Sequence, residues 1–370
     1  MDHFEILPVE DERTRREFLW FPYRLYRDHP YWVPPLRAVQ KELFDISRHP
    51  FHRHATMQQF LAVRSGRTVG RIAAILDPRY NEFQQENAGF FGFLEMIEDA
   101  AVALSLLETA RGWLRQRGVD VMRGPVNPST NYECGLLVDG FDSSPRVMMA
   151  YNYPYYARLV EQAGLRKAKD LLAYHLSVKN VKADRVNALI ERAKCDGMHT
   201  RTVRLSELDQ EAELVWDLYN SAWARNWGFV PMTREEFLHH AREMRPILVP
   251  ELAVFAEIGD AVAGFALAVP DVNEALRHVG GKLVPFGLLK LLWHKRHIRG
   301  IRVVLLGVRE EYRATTAAAV LYASLIRAAS RLNYVGAECS WVLEDNVLMR
   351  RAIESMGGSV YKTYRIYEWK

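Results

Sequence analysis

Cysteine is scarce and scattered: Cys134, Cys195 and Cys339 are the three in 370 residues. An odd count without a CxxC pair excludes a disulfide framework and a cysteine zinc site, and fits a reducing cytoplasm. No stretch reaches the roughly 18 consecutive apolar residues of a membrane span, and the opening MDHFEILPVEDERTRR has no apolar core of a signal peptide. Histidines come as neighbours (His52 and His54, His239 and His240, His294 and His297) rather than in an HExxH pattern, so no metal is expected. GxGxxG, Walker and GxSxG motifs are missing too, which removes their usual chemistries. A net charge of +4 is too slight for a nucleic-acid binder, although it suits an anionic ligand or an anionic membrane face.

What is there is an ordinary globular composition, 49% hydrophobic and 25% charged, long enough for two cores. A repeat spans half the chain. LAVRSGRTVGRIAAILDPRYNE begins at Leu61 and LAVFAEIGDAVAGFALAVPDVNE at Leu252; each reads as strand, glycine turn, strand, then Asp or Pro and Asn-Glu. The halves also end alike. YYARLVEQAGLRKAKDLLAYHL (155–176) and LMRRAIESMGGSVYKTYRIYEW (348–369) are each an amphipathic helix, a glycine stop and a strand. Between these ends lie GFFGFLEM, a helix over 101–118 and VDVMRGPVN in the first half. The second half has IRVVLLGV, a helix over 317–333 and VGAECSWVL. The spacing predicts an α/β fold in two domains, 1–180 and 181–370, each with a mixed sheet flanked by helices.

The segment VVLLGVREEYRATTAAAVLYASLIRAA resembles the core motif of the GNAT superfamily of acyl-CoA N-acyltransferases, where a strand, a phosphate loop and a helix start cradle the CoA diphosphate. The resemblance implies tandem GNAT-like domains with mostly antiparallel sheets, the first degenerate, and acyl-CoA as a co-substrate without a permanently bound cofactor. It places the thioester against Leu306, Gly307 and Val308 and the diphosphate on Arg313, Ala314, Thr315, Thr316, Ala317 and Ala318. Thr316 and Ala318 replace the usual glycines; Thr316 has the chemistry of a helix N-cap. Asn346 opens the last helix, near the pantetheine in the superfamily. Tyr361 or Tyr364 is the general acid that the resemblance implies, and Glu338 or Glu344 the base for the amine.

The first half lacks that loop; IEDAAVAL follows its strand, and Glu98-Asp99 repels a diphosphate. It has instead the turn-rich GPVNPSTNYE, whose Asn127, Ser129, Thr130, Asn131 and Glu133 are candidates to line an acceptor pocket. With YNSAWARNWGFVPMTREEF, which carries Trp227, and the C-terminal KTYRIYEWK, this run resembles a bacterial group of long two-domain GNAT acyltransferases that includes bacterial ceramide synthases. The run 283–299, apolar and then cationic with Trp293 at the boundary, reads as an interfacial helix or a lid over a long acyl chain.

The reading that results is transfer of an acyl group, long-chain by that run, from acyl-CoA or an acyl carrier protein to an amine. A sphingoid base is one such amine, and the reaction runs in the cytoplasm or at the inner membrane face. A non-catalytic protein that binds acyl thioesters or lipids, and an acetyltransferase acting on a small amine, remain open alternatives.

Overall fold

In the computed structural model, residues 3–181 and 183–370 are described. The chain divides into two compact units that interleave in sequence. Residues 1–171, 279–288 and 362–370 form the first, and 172–278 and 289–361 the second.

The first unit is built on strands β1 (Phe4–Pro8), β2 (Thr56–Arg64), β3 (Arg67–Leu76), β4 (Ala88–Met96) and β5 (Val121–Gly124), hydrogen-bonded in that order. The pairs are antiparallel except β4 with β5. The C-terminal strand, Ser359–Trp369, pairs antiparallel with β5 through Tyr367 and Gly124, so a piece of the second half completes the first sheet. Helices α1 (Glu12–Leu25) and α4 (Ala100–Arg115) pack on this sheet, and α2 (Arg37–Leu43) and α3 (Pro78–Gln84) lie between them in the chain. In α4 the buried Val102, Ala103, Leu106, Leu107, Ala110 and Leu114 recur at three- and four-residue spacing and form one stripe against the core. Short strands β6 (Val126–Asn127) and β7 (Glu133–Cys134) make a separate hairpin, followed by β8 (Leu136–Asp139), α5 (Tyr155–Gln162) and β9 (Arg166–Ser177).

Strand β9 runs on into the second unit at Leu172. Its end borders a sheet ordered β14 (Gly336–Leu343), β13 (Gly300–Val308), β12 (Ala261–Pro270), β11 (Ala253–Ile258) and β10 (Met198–Thr202), antiparallel but for β13 with β14. Helices α6 (Ala183–Cys195) and α11 (Ala317–Arg331) pack together, and α11 covers the core with Val320, Leu321, Ala323 and Leu325. The remaining helices are α7 (Leu208–Ala222), α8 (Arg234–Met244), the short α9 (Asn273–Leu276), α10 (Gly287–Lys295) and α12 (Val347–Ser355). The C-terminal strand is β15. The duplicated order of hairpin, strand, helix, strand, helix, strand is the repeat that the sequence displays.

Candidate active site

Both units share one irregularity. The ladder between β12 and β13 passes from Leu267–Leu305 to Ala268–Val303 and skips Val304; that between β3 and β4 passes from Arg71–Glu95 to Ala73–Gly92. Such a bulge bends the strand away from its parallel neighbour. Accordingly β13 and β14 pair only from Gly300–Gly336 to Val303–Cys339, and β4 and β5 only from Ala88–Val121 to Phe90–Arg123. Beyond those pairs the strands splay.

In the first unit the splay is filled by the protein itself. The Asn127 side chain accepts a hydrogen bond from the Phe93 N–H at 2.6 Å, and a Cβ on Gly92 would stand 1.7 Å from the Val126 carbonyl oxygen. Glycine is what lets the Val126–Asn127 segment come so close. The helix start beside it is occupied as well. Asp99 accepts from the Ala101 and Val102 N–H groups and pairs with Arg64 at 2.6 Å. A carboxylate already satisfies those donors from within the unit.

In the second unit Val304–Val308 and Ser340–Leu343 run on without pairing to each other. At the foot of this splay sits a buried polar cluster. Glu338 is 1% exposed and Arg302, its register partner across the parallel pair, 4%. The Ser340 hydroxyl donates to Glu338 at 2.5 Å, Arg302 donates to the Ser340 Oγ at 2.8 Å, and Arg302 Nε lies 3.6 Å from the carboxylate. The Tyr361 hydroxyl also donates to Glu338, and the His175 ring stands 5.9 Å from the Tyr361 ring. A buried carboxylate is costly unless paired and hydrogen-bonded; here a guanidinium and two hydroxyls meet it. Next in the chain, Cys339 points into the opposite layer with Tyr174, Val342 and Ile353. Burial, and then the charge of Glu338, push its thiol up to about 12, so it stays protonated and is no nucleophile.

Further along β13, the Trp223 ring lies over Gly307, where a Cβ would come within 2.3 Å of it. Tyr219, Phe229, Met232, Phe237 and Leu305 complete an apolar cluster there. Trp227 lies in the loop between Trp223 and Phe229.

Of the residues that the resemblance assigns to a diphosphate, Arg313, Ala314, Thr315 and Thr316 lie between β13 and α11 and Ala317 and Ala318 open α11, and the side chains of Arg313, Thr315 and Thr316 are engaged within the unit. Arg313 donates to the Ala222 carbonyl at 3.1 Å. Thr316 occupies the N-cap position of α11, yet its hydroxyl bonds Asp196 at 3.2 Å, and Thr315 takes the capping role by accepting from the Ala317 N–H. Ala314, Ala317 and Ala318 bring no side-chain donor. Asn346 caps α12 by accepting from the Met349 N–H. Glu344 follows the end of β14, and its backbone carbonyl accepts from Arg350.

The two tyrosines separate. Tyr361 belongs to the second unit beside Glu338; Tyr364 is wholly buried in the first, against Gly135 and paired with Leu137. The acceptor candidates separate likewise. Asn127, Ser129, Thr130, Asn131 and Glu133 lie in the β6–β7 hairpin of the first unit, where the Ser129 Oγ accepts from the Asn131 N–H, while Trp227 is in the second. Sequence reasoning missed Arg302 and Ser340. The signal was present as a charged residue inside the apolar run IRVVLLGV and a hydroxyl two residues after Glu338.

These paired, bulged and splayed sheets define the tandem GNAT class. A tandem GNAT protein from the clavulanic acid biosynthesis pathway superposes with a TM-score of 0.60 at 13% identity, over 99% of this chain and 98% of that one. A GCN5-related N-acetyltransferase from Anabaena variabilis does so at 0.54 and 9%, over 99% and 72%. No family model matches the sequence. By sequence the chain is 36% identical to the bacterial ceramide synthase of Caulobacter vibrioides, over 98% of this chain and 96% of that protein, and 34% identical to protein YghO of Escherichia coli, over 95% and 92%. The chain belongs to the two-domain bacterial GNAT family that contains this ceramide synthase, and it is an N-acyltransferase.

Proposed function

We propose that the second unit transfers a long-chain acyl group from an acyl thioester, carried by CoA or by an acyl carrier protein, to the amine of a sphingoid base. The carrying observation is the Glu338–Tyr361 pair at the foot of the open splay. The neutral amine attacks the thioester carbonyl, the C–N bond forms, and the backbone of the Leu306–Val308 strand end receives the oxyanion. The C–S bond then breaks. Glu338 takes the proton that the nitrogen loses, Tyr361 gives one to the departing thiolate, and the hydrogen bond between the two returns the proton from carboxyl to phenolate. The products are an amide and a thiol. The acyl chain lies against the Trp223, Tyr219, Phe229 and Phe237 rings.

A sphingoid acceptor is supported by the name of the Caulobacter relative and by the surface of 283–299. No helix among the described residues is long and apolar enough to cross a membrane. Yet Leu289, Leu292 and Trp293 are all more than half exposed, with Lys295, Arg296 and Arg299 following. Apolar rings and chains outside, then cations, are what an anionic lipid surface receives.

The test is a mass-spectrometric assay of the full chain with palmitoyl-CoA or acetyl-CoA and amines that include sphinganine and 3-ketosphinganine. An N-palmitoyl sphingoid product is expected. Acetylated products alone would leave the acyltransferase and remove the lipid; no product with either CoA donor would point to a carrier protein.

A further inference from the structure

The first unit holds a second carboxylate that makes no ion pair with any described residue, although the positive charge of Arg71 acts on it. Glu95, on β4, accepts the Tyr26 hydroxyl at 2.7 Å and the Tyr156 hydroxyl at 2.8 Å, both on Oε2. Oε1 receives no hydrogen bond from any described residue, and the side chain keeps part of its surface open. Arg71, opposite Glu95 in the β3–β4 register, is buried. Its guanidinium donates instead to the Phe18 carbonyl at 2.7 Å and lies over the Phe18 ring, and it makes no ion pair with the carboxylate.

The surroundings are aromatic and acidic. Trp32, Tyr26, Tyr153 and Tyr155 form a continuous stack, with successive centroids 5.1, 4.8 and 5.3 Å apart and interplanar angles of 17°, 14° and 12°. Trp32, Tyr153 and Tyr155 are partly exposed. Glu133, at the edge of the β6–β7 hairpin, adds negative potential at Glu95, and Asp28 does so at Tyr153. An open carboxylate oxygen beside electron-rich ring edges and faces is complementary to an alkylammonium ion: its N–H groups meet the carboxylate and its carbon chain the rings.

We propose that this recess of the first unit binds an organic ammonium ion, the head of a single-chain alkylamine. The site is separate from the reaction assigned to the second unit and does not rest on it. The filled splay beside it, with Asn127 on the Phe93 N–H, makes it a binding site without transfer chemistry. The titratable and charged groups that face Glu95 are Arg71 on β3, Tyr26 at the end of α1, Tyr153 before α5, Tyr155 and Tyr156 on α5, and Glu133 on β7. Burial keeps both phenols protonated, as donors. With no cation bound, desolvation raises the Glu95 carboxyl to about 7. An arriving ammonium favours the carboxylate, so binding near neutral pH releases a proton.

Calorimetric titration of the full chain with octylammonium, in two buffers of different ionisation enthalpy at pH 6.5, tests this. A binding event with proton release is expected, octanol giving no such heat. Glu95→Gln should weaken octylammonium at least tenfold and abolish the proton release, and Glu338→Gln should leave both unchanged. Tyr153→Leu, at a partly exposed ring, provides a second variant should Glu95→Gln fail to fold, and it should weaken binding several-fold. Octanol binding as tightly as octylammonium, or unaltered affinity in Glu95→Gln and Tyr153→Leu, would overturn the proposal.

Discussion

The Tyr361 hydroxyl donates to the carboxylate of Glu338 from two strands away in the sheet, with His175 on the intervening strand β9 packed against the tyrosine ring. In the proposed transfer this bond joins an acid and a base by a single proton path. Removing the base with Glu338→Gln is therefore expected to lower kcat by about 10²–10⁴ with a much smaller change in the KM of the acyl donor. Tyr361→Phe should cost less, since water can protonate a thiolate. The double variant should be no worse than the glutamate variant, because the two act as one unit. Steady-state kinetics of the three variants check this, and full activity in Tyr361→Phe would remove the relay.

The proposed direct transfer leaves Cys339 without a chemical role. Its thiol, pushed up to about 12, should resist a thiol reagent at pH 8, whereas the exposed Cys195 reacts. Activity after labelling Cys195 should be unchanged. Loss of activity in step with modification of Cys339 would indicate an acyl-cysteine route.

Asn127 is expected to matter to stability rather than turnover. Asn127→Ala leaves the buried Phe93 N–H without its 2.6 Å acceptor, for about 1–3 kcal/mol. Urea unfolding should show that loss while kcat stays within twofold. A large fall in kcat without destabilisation would return Asn127 to the substrate.

Glu95 sets a pH dependence of an unusual sign. Its native carboxyl is pushed up to about 7 from the ordinary 4.5, so between those pH values the native state binds more protons than the unfolded one. Stability then falls as pH rises across that window, and the full loss, at most about 3 kcal/mol, is present above it. Urea midpoints at pH 5 and pH 8 should diverge in the wild type, and the difference should shrink in Glu95→Gln.

The exposed run at 284–293 predicts vesicle binding. Leu289→Glu and Trp293→Ala should each reduce co-sedimentation with anionic phosphatidylglycerol vesicles, without change in thermal stability, because neither side chain is in the core. Equal sedimentation of wild type and variants would take the lipid surface away from this helix.

The duplicated architecture was legible because its signals are local. Hairpin strands and amphipathic helices repeat at matching places in both halves, as with the paired runs from Leu61 and Leu252. Gly307 lies near the end of β13, and Thr316 and Asn346 stand at the N-caps of α11 and α12, the places in the chain that the resemblance gives them. What each side chain does there was not legible, since it depends on partners remote in sequence. Thr316 turns to Asp196, 120 residues away, and Arg313 to Ala222. The five polar residues of GPVNPSTNYE share a short hairpin, one member of which plugs the first splay.

By itself, then, the sequence determined an α/β duplication, because turn chemistry and hydrophobic period act within a few residues. Only the tertiary structure decided that Arg302, Glu338, Ser340 and Tyr361 meet, that Tyr364 goes to the other unit, and that one splay is filled while the other stays open. Those outcomes turn on strand register and the bulge at Val304, which bring together groups far apart along the chain through burial and pairing that no local pattern encodes.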